Sequence, residues 1–286
     1  NIAYVSNEYG AFVQNSWKFQ LGDDLLTIVT GLRAAFKSSN NQFVASPRIR
    51  LSYKPDWKTD ALFRIAVGYY YQPPFFKEMV GPQGDFYPEM KAQEAIHYLV
   101  GGDVFLRMWD RPFKFSYDLY YKDLRKVIPY IVDNVKLQYF PNQTAHGFST
   151  GLEFKLNGEF IKNTESWVSL AFLKTMEDID GDNYGWIRRP TDQLVNFGLF
   201  VQDYLPWDET IKMFIAMNYG SSIPSNTPGD QRNNNYVLPL PSYQRMDIGI
   251  SKALYNKENH ESKPWIISNL WVGIEVLNVL DNYNYI

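Results

Sequence analysis

Between Ala61 and Gln72 the chain reads ALFRIAVGYYYQ, and alternate residues sort into two sets. Phe63, Ile65, Val67, Tyr69 and Tyr71 fall on one side, and Arg64, Ala66, Gly68 and Tyr70 on the other. A period of two is that of a β-strand, whose successive side chains point to opposite faces. About twelve such segments recur, over 8–20, 25–38, 43–55, 61–73, 95–109, 113–127, 146–160, 166–178, 193–205, 211–221, 242–255 and 268–280. Each is near the roughly 9–11 residues that a tilted strand needs to cross a bilayer. Only 88–95, PEMKAQEA, predicts a helical turn.

The division repeats from segment to segment. Val195, Phe197, Leu199 and Val201 oppose Asn196, Gly198, Phe200 and Gln202; Met213, Ile215 and Met217 oppose Phe214, Ala216 and Asn218. Met246, Ile248 and Ile250 oppose Arg245, Asp247, Gly249 and Ser251; Leu152, Phe154 and Leu156 oppose Gly151, Glu153 and Lys155. Leu270, Val272, Ile274 and Val276 oppose Gly273 and Glu275. One face is nearly free of charge, as lipid demands, since a charge at mid-depth costs about 2–4 kcal/mol. The other carries small and charged residues, which suits a lumen better than bulk water. The predicted fold is all-β: a transmembrane, antiparallel up-and-down barrel.

Connection lengths support this. LGDD, PDWKTD, DRP, IKNTES and PWDET follow the odd-numbered strands, with a longer NKENHESKPWII between the last two. The even-numbered strands lead into long loops at 74–94, 128–145, 179–192 and 222–241, with the short SSNNQF as the exception. Short turns on one rim and long loops on the other mark outer-membrane barrels. Trp17, Trp57, Trp109, Trp167, Trp207, Trp265 and Trp271 lie by the short connections, with only Trp186 in a long loop. Tyr69, Tyr70, Tyr71, Tyr120, Tyr121, Tyr219 and Tyr243 lie towards the other strand ends. Two aromatic belts at the two membrane interfaces are the expectation.

Composition adds exclusions. Aromatics make up 17% of the 286 residues, cysteine is absent and the net charge is -3. There is accordingly no disulfide or Cys-based site and no electrostatic case for nucleic acid. Mean hydropathy is -0.34, and no apolar run is long enough for a transmembrane helix. The opening NIAYVSNEYG is not a signal peptide, so the chain is expected to be mature or truncated.

Short motifs add a resemblance. ASPRIRLSYKP (Ala45 to Pro55), VGYYYQPPF (Val67 to Phe75), EYGAFVQNSW (Glu8 to Trp17), YQRMDIGISKAL (Tyr243 to Leu254) and VGIEVLNVLDNYNYI (Val272 to Ile286) resemble stretches of TonB-dependent outer-membrane receptor barrels. The Bacteroidota type with a carboxypeptidase-regulatory-like N-terminal domain is the most similar. Asn15 stands where that family usually has Asp, and Val279 where it has an aromatic residue. The resemblance implies a barrel of 22 strands around a plug, of which this chain supplies a C-terminal part without plug, TonB box or final strand. It implies the outer membrane of a Gram-negative bacterium, energised import of a scarce solute, and as partners the chain's own N-terminal plug, the TonB–ExbB–ExbD complex and the lipid bilayer. A surface lipoprotein or a larger outer-membrane complex also fits.

The polar face supplies the candidates for plug or solute contact: Arg48, Arg50, Arg64, Asp103, Arg107, Asp118, Glu153, Lys155, Arg245, Asp247 and Glu275. Exposed aromatics of the outer loops, Phe75, Phe76, Phe86, Tyr87, Trp186 and Tyr236, are candidates for ligand capture; packing between loops is the plainer role for each. No cofactor, metal site or catalytic residue is expected. Asp178, Asp180 and Asp182 alternate as in a calcium loop, but Asn183 and Arg189 stand where an EF-hand needs Gly and Glu. His97, His146 and His260 show no ligand spacing, and no hydrolase or nucleotide motif occurs. Two rivals remain: a complete small barrel acting as a porin or scaffold, and a soluble β-sandwich that buries the Phe63, Ile65 and Val67 face.

Overall fold

Long strands succeed one another along the chain, each hydrogen-bonded to its neighbour, in the computed structural model, which describes residues 5–133, 136–161, 164–205, 207–225, 238–256 and 269–284. The strands are β1 (Glu8–Leu21), β2 (Asp24–Lys37), β3 (Gln42–Lys54), β4 (Ala61–Gln72), β5 (Gln93–Met108), β6 (Arg111–Val127), β7 (Tyr130–Asp133), β8 (Lys136–Tyr139), β9 (Ala145–Ile161), β10 (Thr164–Ile179), β11 (Ile187–Arg188), β12 (Val195–Leu205), β13 (Asp208–Gly220), β14 (Pro224–Ser225), β15 (Leu238–Pro239), β16 (Tyr243–Asn256) and β17 (Asn269–Val276). One antiparallel sheet has the order β1-β2-β3-β4-β5-β6-β9-β10-β12-β13-β16-β17, with β11 beside β10. This is up-and-down order throughout. Among the described residues β1 and β17 do not pair, so the barrel is open along two edges.

Register converts the alternation into two continuous surfaces, because residues directly opposite on paired strands share a face. Trp17, Ile28, Leu51, Ile65, Val100, Leu119, Leu152, Phe172 and Val195 are successive partners across nine strands. Ser52, Arg64, Gly101, Asp118, Glu153, Ala171, Asn196 and Gly220 form the next row on the opposite face. A slip of one residue would exchange the rows. Much of the apolar face is open to the surroundings: Ile65, Val100, Leu119, Ile215, Ile250 and Ile274 are all exposed. A surface this large, regular and greasy is covered by lipid in a stable protein. Among the described residues no helix is long and apolar enough to cross a membrane.

The strands are joined by tight turns at one rim. Trp109 and Asp110, both with positive φ (53 and 60), turn β5 into β6 in the manner of a type I′ hairpin. At the other rim the loops build a core of their own. Met79, Ala92, Ile128, Ile131, Tyr139 and Ile187 are buried there, and Val127, Ala145, Ile179 and Ile187 form one cluster with Leu124 against it. The stretch read as a loop at 128–145 contains the hairpin β7–β8. The helical turn expected over 88–95 does not form: 88–89 is a simple turn and β5 begins at Gln93. Gln93, Ala95 and His97 instead continue strand pairing with Gln72, Tyr70 and Gly68, and the ladder outweighs the local helical composition. The only helical elements described are 3-10 turns at Ser38–Asn40 and Phe76–Met79.

Candidate functional site

Every charged residue proposed for the wall lies on the polar face. Arg48 and Arg50 on β3 stand opposite Gly68 and Ala66. Arg64 on β4, Asp103 on β5 and Asp118 on β6 converge: Arg64 Nη1 donates to Asp103 Oδ2 at 2.9 Å and Nη2 to Asp118 Oδ1 at 3.1 Å. Asp103 is nearly buried, and Lys114 Nζ approaches it at 3.3 Å. Glu153 lies opposite Asp118, and Lys155 opposite Ser116. Arg245 donates to both oxygens of Asp247 at 2.8 and 3.0 Å, and the Asn278 N–H donates to Asp247 Oδ1 at 2.8 Å. Glu275 stands opposite Gly249, and Arg107 lies by the β5–β6 turn opposite Pro112.

The same face holds aromatics that spacing had assigned to the interfacial belts. Tyr70 stacks on His97 with ring centroids 4.2 Å apart, and the Arg48 guanidinium sits 4.5 Å from its centroid. Tyr120 lies over Gly151, where a Cβ would come 2.4 Å from the phenol oxygen. Trp167 stacks on Phe200, Phe200 meets Phe214, and Phe214 covers Gly249. Tyr70 lies on the polar face, as its alternation with Tyr69 and Tyr71 requires. The belt assignment is corrected for Tyr120, Trp167, Tyr243 and Trp271, which share that face; rings such as Tyr120 over Gly151 and Trp167 over Gly198 protect thin stretches of backbone in a curved sheet. Tyr69, Tyr121 and Trp17 do lie on the apolar face, opposite Ile96, Tyr98 and Ile28. Trp265 and His260 lie outside the described residues.

The loop candidates are mostly occupied with one another. Phe76 meets Phe86 at 5.5 Å, the Tyr87 N–H donates to the Met79 carbonyl, and Trp186 packs on His146 and Phe148 at 5.4 and 5.3 Å. Phe75 remains 57% exposed, and Tyr236 lies outside the described residues. Two ion pairs on buried carboxylates carry no signal in the sequence. Arg189 Nε lies 3.0 Å from the buried Glu177, and Arg188 Nε donates to Asp192 Oδ2, whose other oxygen accepts from the Thr175 N–H at 2.7 Å. An RR pair and scattered acids carry no local signal that loop 180–194 folds back on β10. Asp178 and Asp180 of the acidic stretch flank His146, at 3.7 and 3.6 Å.

At the short-turn rim, carboxylates cap the backbone. Asp24 accepts from the Tyr53 hydroxyl at 2.6 Å and from the Asp56 N–H at 2.7 Å; the first, then the second, holds its carboxyl below the ordinary range. Asp208 is lowered likewise by the Thr210 hydroxyl and N–H.

The geometry is that of a membrane barrel wall with a charged, partly self-neutralised inner surface. No curated protein matches the chain. The family model for the TonB dependent receptor-like β-barrel matches residues 2–278. A match over nearly the whole length, on a sheet of this order and two-faced register, places the chain in the TonB-dependent receptor β-barrel family of the outer membrane.

Proposed function

We propose that this chain is wall from a TonB-dependent transporter, which imports a scarce solute across the outer membrane through a lumen closed by a plug. The observation that carries this is the pairing of two surfaces by one register: an unbroken apolar row from Trp17 to Val195 and, behind it, a row with Arg64, Asp118 and Glu153. Two unpaired strand edges cannot rest in lipid, where each unsatisfied backbone group costs several kcal/mol. Further strands complete the barrel, in line with the larger plugged barrels. The polar face then meets the plug, and the energising complex of the inner membrane moves that plug. None of the wall residues is assigned a catalytic role.

The test is uptake by cells carrying the complete receptor gene. Solute accumulation or growth on the limiting nutrient is expected to stop when the energising complex is deleted, while the receptor remains in the outer membrane. Uptake that continues unchanged would make the barrel a passive pore and end the proposal.

A further inference from the structure

The charges on the polar face are unevenly neutralised. From β4 to β6 they are cross-linked: Arg64 and Lys114 meet Asp103, and Arg64 also meets Asp118. On β16 Arg245 is held by Asp247. Arg33, Arg48 and Arg50, on β2 and β3, make no ion pair with any described carboxylate, although each is exposed on the face it shares with Arg64. Arg33 stands opposite Ser46 and Arg48 opposite Gly31, which sets the two guanidinium stems diagonally adjacent.

A groove of about 390 Å³ opens between them, lined by Phe12, Gln14, Gly31, Arg33, Ser46 and Arg48. Its floor is bare at Gly31, where a Cβ would find nothing nearer than the Val13 carbonyl at 3.7 Å. Phe12 is 83% exposed above it. The Arg48 guanidinium is steered by the Tyr70 ring at 4.5 Å. Two planar forks, an amide, a hydroxyl and one aromatic edge make a recognition set for a carboxylate or phosphate.

The groove lies in the outer half of the strands, and the rim above it is low. β2 and β3 are joined only by Ser38–Asn40 and Asn41, whereas β4–β5, β6–β9 and β10–β12 carry the packed loops. The Asn40 side chain ties this low turn sideways to the Met90 carbonyl at 2.5 Å. Uncompensated cations under the one short outward connection draw anions from outside.

We propose that the groove of Arg33 and Arg48 is a subsite for the anionic group of the imported solute, a carboxylate or phosphate, met on entry through the low sector of the rim. This presupposes the transporter role proposed above. A carboxylate of the plug has the same chemistry, and the experiment separates the two sources.

Titration calorimetry on the full-length receptor in detergent uses citrate and pyrophosphate as probes. Wild type is expected to bind at least one, more weakly as salt is raised. Arg33→Gln with Arg48→Gln is expected to lower affinity about tenfold or more, and Gly31→Leu, which fills the floor without backbone strain, to lower it similarly. Lys54→Gln, at the short-turn end of β3 where Lys54 pairs with Asp60, serves as the control and leaves binding unchanged. Heat-modifiable migration and energised uptake are measured on each protein, so a failed transporter reads differently from a failed subsite. Absence of probe binding to an inserted, uptake-competent receptor overturns the proposal, as does binding indifferent to both variants. If wild type binds neither probe while the double variant makes the plug sensitive to protease, the anion is a plug carboxylate and the solute subsite is wrong.

Discussion

The membrane wall and the outer rim are built from one chain by opposite means. The wall is a single layer with no interior: Ile65 is 51% exposed, and the solvent of that face is lipid. The rim has an interior, where Ile179 is 3% exposed among Val127, Ala145 and Ile187. Polar groups divide likewise. In the wall, charges lie along an open surface and are shared between neighbouring strands, as Arg64 is shared by Asp103 and Asp118. In the rim they are enclosed, as Glu177 is beside Arg189. The wall therefore depends on where charge is excluded, and the rim on how closely side chains pack.

The comparison can be broken most forcefully by placing charge on the lipid face. Val67→Arg with Leu199→Arg, near the middles of β4 and β12, should cost roughly 4–8 kcal/mol together, since distant sites add. The expected result is loss of heat-modifiable receptor from outer-membrane fractions. A receptor that stays water-soluble and folded would instead restore the β-sandwich alternative.

Next in size is a matched pair of truncations. Ile179→Ala in the rim should cost about 2–5 kcal/mol, transfer and cavity terms combined. Ile65→Ala should cost roughly 1–2 kcal/mol, because lipid fills the space and leaves no cavity. Protease cleavage of the outer loops should rise for the first only, with barrel insertion intact in both. Equal sensitivity would mean that the rim has no core of its own.

A smaller effect is expected from Asp103→Asn, which leaves Arg64 with Asp118 alone and Lys114 unpaired. Partial exposure of the cations holds the cost to about 1–2 kcal/mol, read as a shift in urea midpoint of the refolded receptor in vesicles. Asp118→Asn, at the more exposed end of the network, should cost less.

The mildest prediction concerns pH at the short-turn rim. Asp24 has its pKa lowered by Tyr53 and Asp56, so it binds protons less readily folded than unfolded. Its contribution is complete above the unfolded value of about 3.9 and is lost as pH falls through the folded value. Wild type should therefore be the more stable at neutral pH, and its advantage over Asp24→Asn should shrink below about pH 4.

Much of this was legible in residues. The alternation of Phe63, Ile65 and Val67 against Arg64 and Gly68 required a two-faced strand, and its repetition along the chain required a sheet with one charge-free face. The eleven wall candidates were found because a period of two needs no tertiary information. Height along the strand did not settle the face of every aromatic: Tyr120, Trp167 and Tyr243 share the polar face, opposite Gly151, Phe200 and Gly220. The hairpin β7–β8 and the ion pairs Glu177–Arg189 and Arg188–Asp192 left no periodic trace.

Local chemistry thus determined by itself which residues face lipid and which face the lumen, since each strand carries its own alternation and the cost of charge in lipid enforces it. Tertiary structure alone decided which charges neutralise one another and which stay free. Arg64 and Arg48 look alike in sequence. Register sets Arg64 beside Asp103 and Asp118, and sets Arg48 between two glycines, where no carboxylate of the described wall reaches it.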